Sequence, residues 1–180
     1  MDVDPQLLNR HVEGCSRAHQ SLLESIDRLT DDDCRAPSLL ERWSRGHVLS
    51  HLARNADSHA HLLDCASRGE IGHQYDGGFA GRVAAIEEGS SRSAAELIAD
   101  VRRSIYGLES AWAQANHATW QGSGLNSKGD VLPMGDIVFL RWREVEVHHA
   151  DLGIGFTFAD WSDEYVRYRS EEHTSELQSR

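Results

Sequence analysis

The apolar residues of this chain recur at helical spacing in four long segments, and that spacing limits the fold more than any other feature of the sequence. Asp4 and Pro5 open the first, where Leu7, Leu8, Val12, Cys15, Leu22, Leu23, Ile26 and Leu29 predict a helix to about Arg28. Ser44 caps the second, which carries Val48, Leu49, Leu52, Ala53, Ala56, Leu62, Leu63 and Ala66 and stops at Gly69. Ser93 and Glu96 form an S-x-x-E capping box ahead of Leu97, Val101, Ile105, Leu108 and Trp112. Pro133 begins the fourth, which ends at Leu152 before Gly153. Thr30 to Arg42 reads as a polar loop, and residues 70–91, rich in glycine, read as a long irregular loop with a short turn near Val83 to Ile86. With no convincing run of strands, these segments predict an all-α fold, an antiparallel four-helix bundle with a long loop between its second and third helices.

Composition removes several classes of function. A formal net charge of -11 argues against nucleic acid and anionic membrane as general partners, because both need a basic face. Cys15, Cys34 and Cys65 form no CxxC pair and are odd in number, so they support neither a disulfide framework nor a cysteine zinc site and suit a reducing cytoplasm. No stretch reaches the roughly 18 apolar residues of a membrane span, and the N-terminus lacks a signal pattern. The expectation is a cytoplasmic protein.

Chemistry concentrates in RWREVEVHHADLG, residues 141–153. Residues four apart share a helix face, so Glu144 and His148 point together and Glu146 points nearly opposite. Glu144 and His148 thus border the apolar face, where an ionised group is costly without a partner or a metal. His51, between Leu49, Leu52 and Ala53, borders the core-facing stripe of the second segment. Two imidazoles and one carboxylate from facing helices leave a fourth position open, as in catalytic zinc sites, although nitrogen and oxygen donors also admit nickel, iron or manganese. The same spacing serves a plain charge pair in a non-catalytic binding bundle, with Glu144 and His148 paired to Arg141. His47, four before His51, is a possible chelating or outer-shell partner, whereas His149 and Glu146 read as a solvated face or an outer layer of the site, and His59 and His61 as surface residues.

The segments WSRGHVLSHLARNAD (Trp43 to Asp57) and DIVFLRWREVEVHHADLG (Asp136 to Gly153), with RVAAIEEG and RSAAELIADV between them, resemble the mycothiol-dependent maleylpyruvate isomerase family, which belongs to the DinB-like metal-binding bundles. The resemblance covers about residues 5–168. It implies a divalent metal, usually zinc, held by His51, Glu144 and His148. It also implies mycothiol as cofactor and the cis to trans conversion of maleylpyruvate to fumarylpyruvate in aromatic breakdown by the gentisate route. A thiolate formed at the metal adds to the conjugated double bond and is expelled after rotation. Arg54, Arg82 and Arg141 are candidates to hold the dicarboxylate substrate, and Asn55 to bond a ligand or cofactor. The nearest alternative is another mycothiol-dependent S-transferase.

The resemblance divides the chain into a metal-binding bundle (1–153) and the start of a C-terminal domain (154–168) that is otherwise missing. Residues 169–180, RSEEHTSELQSR, lack apolar periodicity and resemble the in-frame translation of a short-read sequencing adapter. They are expected to be an artefactual, disordered tail, and the truncated chain is expected to risk losing activity.

Overall fold

The computed structural model describes residues 3–178, with side chains as far as residue 170. Four long helices dominate: α1 (Pro5–Ile26), α3 (Arg45–Ser67), α5 (Ala94–Gln114) and α7 (Ile137–Asp151). Shorter ones intervene, α2 (Asp31–Arg35), α4 (Gly78–Ser90) and α6 (His117–Trp120), and α8 (Asp163–Gln178) follows. The one sheet among the described residues is a hairpin of β1 (Ser123–Leu125) and β2 (Val131–Pro133), antiparallel with Gly124 opposite Leu132.

The long helices begin where their caps place them. Asp4 accepts from the amide of Gln6, and Ser93 and Glu96 close a reciprocal capping box, each satisfying donors that a first turn leaves unpaired. Pro133 ends β2 instead of opening a helix; a 3-10 turn over Met134–Asp136 precedes α7. The polar stretch after Thr30 holds the single turn α2, because Thr30 and Asp33 cap it.

Helix directions follow from which ends meet. Arg45 at the start of α3 donates to the Leu152 carbonyl beyond α7, while Asn55 meets Arg141, so α3 and α7 are antiparallel. His19 meets Glu109 and Arg102 meets Asp27, so α1 and α5 are antiparallel too. The other two seams are parallel: Arg54 pairs with Asp100 and Asp57 with Arg103 between α3 and α5, and Val3 lies on Gly135 and Gly14 on Trp142 along α1 and α7. The bundle is therefore only half antiparallel. A parallel neighbour requires the chain to travel back along the bundle, and residues 68–93 make that crossover.

The crossover is not irregular. It forms α4 because Ile86 and Gly89 bury against α3. At Gly89 a Cβ would fall 2.2 Å from Ser50 Oγ, so this glycine is a packing residue that lets α4 lie close, where sequence alone reads it as a helix breaker.

Around the core, α3 is covered on nearly every side, with Val48, Leu49, Leu52, Ala53, Ala56 and Leu62 inaccessible. Helix α7 turns Val145 and Leu152 inward and is covered on its other flank by α1, Trp161 and Tyr165. Backbone in α8 is helical to Gln178, where disorder is expected from Arg169 onward; the side chains of 171–178 and all of 179–180 lie outside the described residues. No helix among the described residues is long and apolar enough to cross a membrane.

Helices α1 and α7 approach closely because Gly14 has no side chain: a Cβ there would sit 2.2 Å from the Trp142 ring. Alanine in a helix interior normally stabilises by about 1 kcal/mol over glycine. Here the rigid, buried indole cannot withdraw, so Gly14→Ala is expected to destabilise by roughly 1–3 kcal/mol, read as a lower urea midpoint. A midpoint equal to or above the parent's contradicts this packing.

Candidate metal centre

Antiparallel packing of α3 against α7 brings an early turn of one beside a late turn of the other, and three potential ligands meet there. His51 Nε2 lies 2.8 Å from Glu144 Oε2, and His148 Nε2 lies 3.5 Å from that same oxygen. Ligand atoms of all three residues lie within 4.8 Å of one another, and no other such group of three occurs among the described residues. The imidazoles meet edge to face, with centroids 4.7 Å apart. His51 is buried, whereas Glu144 and His148 keep side-chain exposures of 28% and 17%, so the cluster opens toward solvent on the α7 side.

Charges in the cluster are set by these contacts. Burial alone would raise the Glu144 carboxyl, but hydrogen bonds from His148 and His51 outweigh it and hold the group well below the usual carboxylate range. For His148, burial favours the neutral ring, yet the Glu144 and Asp151 carboxylates raise it above its ordinary value. Desolvation wins at His51, which is lowered to about 4 despite Glu144. An ionised carboxylate beside two imidazoles is a donor set suited to zinc with a coordination position to spare.

A second layer holds these groups. Asp151 Oδ2 is 2.8 Å from His148 Nδ1, which orients the ring and leaves Nε2 facing the cluster, the carboxylate-histidine arrangement common behind metal ligands. Asp151 follows His148 by three positions, and that helical spacing is the signal by which sequence could have found it. Trp43 packs edge-on to His51 with centroids 5.7 Å apart, a contact that no spacing predicts.

The remaining candidates separate sharply. Arg82, on α4, donates from Nη2 to His51 Nδ1 at 3.2 Å and so stands at the cluster. Arg54 faces away: its Nη2 is shared between Asp57 and Asp100, and it lines a cavity of about 340 Å³ with Tyr75 and Gly81. Arg141 is wholly inside the bundle, bonded to Leu52, Asn55 and His19, so it does not face substrate as expected, nor does it pair with Glu144 and His148 as the charge-pair reading requires. Asn55 receives that arginine one turn from His51. His47 belongs to the start of α3, its Nδ1 accepting from the Ser44 amide and its Nε2 near Glu87.

A family model, the mycothiol maleylpyruvate isomerase N-terminal domain, matches residues 15–153. This chain belongs to that family. A crystal structure of the mycothiol-dependent maleylpyruvate isomerase superposes with a TM-score of 0.83 at 26% identity, over 89% of this chain and 66% of that one. A histidine-to-alanine mutant of that isomerase matches with the same values. This chain thus spans just under two thirds of the length of the solved proteins it matches. No curated protein matches it.

His149 and Glu146, read from sequence as a solvated face or an outer layer of the site, and His59, read as a surface residue, are buried. His149 stacks on Phe156 with centroids 3.7 Å apart, Glu146 accepts from Trp142 Nε1, and His59 is enclosed beside Asn55. The chain after α7 folds back over the first two, with Trp161 reaching the Glu146 carbonyl, and His59 lies near Arg141 of α7, whereas His61 is exposed as expected. Burial lowers His19 and His149 to about 4 and His59 to about 3, with the Arg141 charge adding to the effect at His59 and His19. These rings stay neutral in the folded chain while the unfolded chain takes up protons near pH 6.5. Their contribution is complete above about pH 6.5 and falls as pH drops toward 4, each by on the order of 2–3 kcal/mol. The raised His148 acts oppositely, but three outweigh one. Urea midpoints measured from pH 7.5 to 4.5 are expected to fall steadily below pH 6.5, and a flat profile contradicts neutral burial of these rings.

Proposed function

We propose that this chain is the metal-binding part of a mycothiol-dependent maleylpyruvate isomerase, with His51, Glu144 and His148 holding a zinc ion. The convergence of exactly these donor types, with Asp151 behind His148, carries the reading. Family membership and the solved isomerase support it. A zinc ion there would lower the pKa of a coordinated thiol, making the mycothiol thiolate available near neutral pH for addition to the substrate double bond.

The protein's own groups supply binding and orientation. Arg82 is the cation best placed to hold a carboxylate of maleylpyruvate, because it already reaches the cluster and belongs to the crossover helix. Arg54, read from sequence as a second carboxylate contact, is instead engaged by Asp57 and Asp100 beside the neighbouring cavity. Asp151 keeps His148 Nε2 turned toward the centre, and Trp43 packs edge-on against the His51 ring. The three buried, unpaired cysteines suit a reducing cytoplasm, where a low-molecular-weight thiol would be reduced.

Elemental analysis of the untagged chain tests the centre. About one zinc per chain is expected, lost in His51→Ala and in Glu144→Ala while the far-ultraviolet circular dichroism keeps its helical signature. No metal above background after zinc is supplied would sink the reading. With mycothiol added, conversion of maleylpyruvate is expected to vanish in His51→Ala and to fall at least tenfold in Arg82→Ala. Conversion without mycothiol, or preference for an unrelated electrophile, argues for another enzyme built on the same bundle.

A further inference from the structure

Arg141 poses a physical problem that the proposed chemistry leaves unanswered. Its side chain is entirely buried, yet a guanidinium keeps its charge and presents donors in a fixed planar fork. Burying such a group is costly, and the bonds it does make identify what it holds. Nη1 donates to the Leu52 carbonyl at 2.9 Å and to Asn55 Oδ1 at 2.7 Å, and Nε donates to His19 Nε2 at 3.1 Å, while Nη2 has no hydrogen-bond partner among the described residues. His19, accepting at Nε2, carries its proton on Nδ1 and faces Glu109 Oε1 at 2.9 Å. A neutral imidazole thereby links the buried cation to a carboxylate at the bundle surface.

The acceptors on α3 are placed with respect to the candidate ligands. Leu52 directly follows His51 and Asn55 lies one turn on, while on α7 Arg141 precedes Glu144 by one turn and His148 by two. On the other side of the cluster the relation is reversed: Arg45 of α3 donates to the carbonyls of Leu152 and Gly153 just beyond α7. His51, Glu144 and His148 thus lie between two arginine bridges: Arg141 of α7 to the Leu52 carbonyl and Asn55 side chain of α3, and Arg45 of α3 to the carbonyls just beyond α7. Apolar side chains between helices slide at little cost, whereas a charged nitrogen donating to both a backbone carbonyl and a side-chain amide of the facing helix, with Nε tied to a third helix, fixes register.

We propose that Arg141 is a positioning residue for the metal centre, clamping α7 to the turn of α3 after His51 and so fixing how Glu144 and His148 meet His51. This rests on the reading of those three residues as ligands. Lysine cannot replace it, since one ammonium cannot reach Leu52, Asn55 and His19 together.

Because Arg141 variants risk failing to fold, Asn55 provides the test. Zinc affinity is measured by competition with a chromophoric chelator, and fold stability by urea unfolding of the metal-stripped protein. Asn55→Ala is expected to weaken zinc binding about tenfold or more, whereas Asn55→Asp, which keeps an oxygen for the guanidinium, stays within about threefold of the parent. Leu132→Ala, a cavity under β2, which contributes no residue to the clamp, is expected to lower stability while leaving zinc affinity intact. Parent-like affinity in Asn55→Ala, or an equal loss in Asn55→Asp or Leu132→Ala, overturns the proposal. If the parent itself binds no zinc, the ligand reading fails, and crystal structures of metal-stripped parent and Asn55→Ala judge the clamp alone. The His51 Nε2 to Glu144 Oε2 separation should lengthen beyond 3.5 Å in the variant, and its persistence at 2.8 Å would overturn the clamp.

Discussion

An ionised carboxylate held between two imidazoles at the seam of two helices sets conditions that much of the molecule meets. Glu144 keeps its charge because His51 of α3 and His148 of its own helix both approach it, which fixes the relative height of α3 and α7 at that turn. Arg45 and Arg141 bridge the pair on either side of that contact. The height at which the three side chains meet is thus flanked on both sides by arginine bonds to backbone oxygens.

The second constraint is the parallel seam between α3 and α5. Consecutive long helices that run the same way need a return path, and the path is occupied by α4, seated on α3 through Gly89. This solution has a chemical consequence, since α4 carries Arg82 to His51. Buried Asp100 locks the same region by accepting from Arg54, Arg92 and Arg103, and this held arginine network explains why Arg54 faces away from the cluster. An apparent loop is thus the element that brings a cation to the candidate centre.

Histidines in this chain serve different ends according to what surrounds them. His51 and His148 face a carboxylate and one another; His47 closes a helix start; His19 bridges Arg141 and Glu109 by hydrogen bonds; His149 stacks on Phe156 as an apolar ring. The same side chain is ligand-like, capping, bridging or simply packed, and only its neighbours distinguish these states.

Sequence alone determined the four long helices and the caps Asp4, Ser44 and Ser93 of the first three, because a helical period and a capping side chain are local properties, whereas the start of the fourth was set by the hairpin that precedes it. It also determined that Glu144 and His148 share a face and that His51 borders the core, since both depend only on spacing along one helix. Asp151 was legible by the same spacing. Tertiary structure alone decided which seams run parallel, that the glycine-rich crossover is helical, and that Glu146, His149 and His59 are buried under residues such as Trp142, Phe156 and Arg141. It also decided the place of Arg141, whose partners Leu52, Asn55 and His19 lie far away in sequence. The reason is the same in each case: burial and partnership at these positions are properties of two surfaces in contact, and a one-dimensional period describes only one of them.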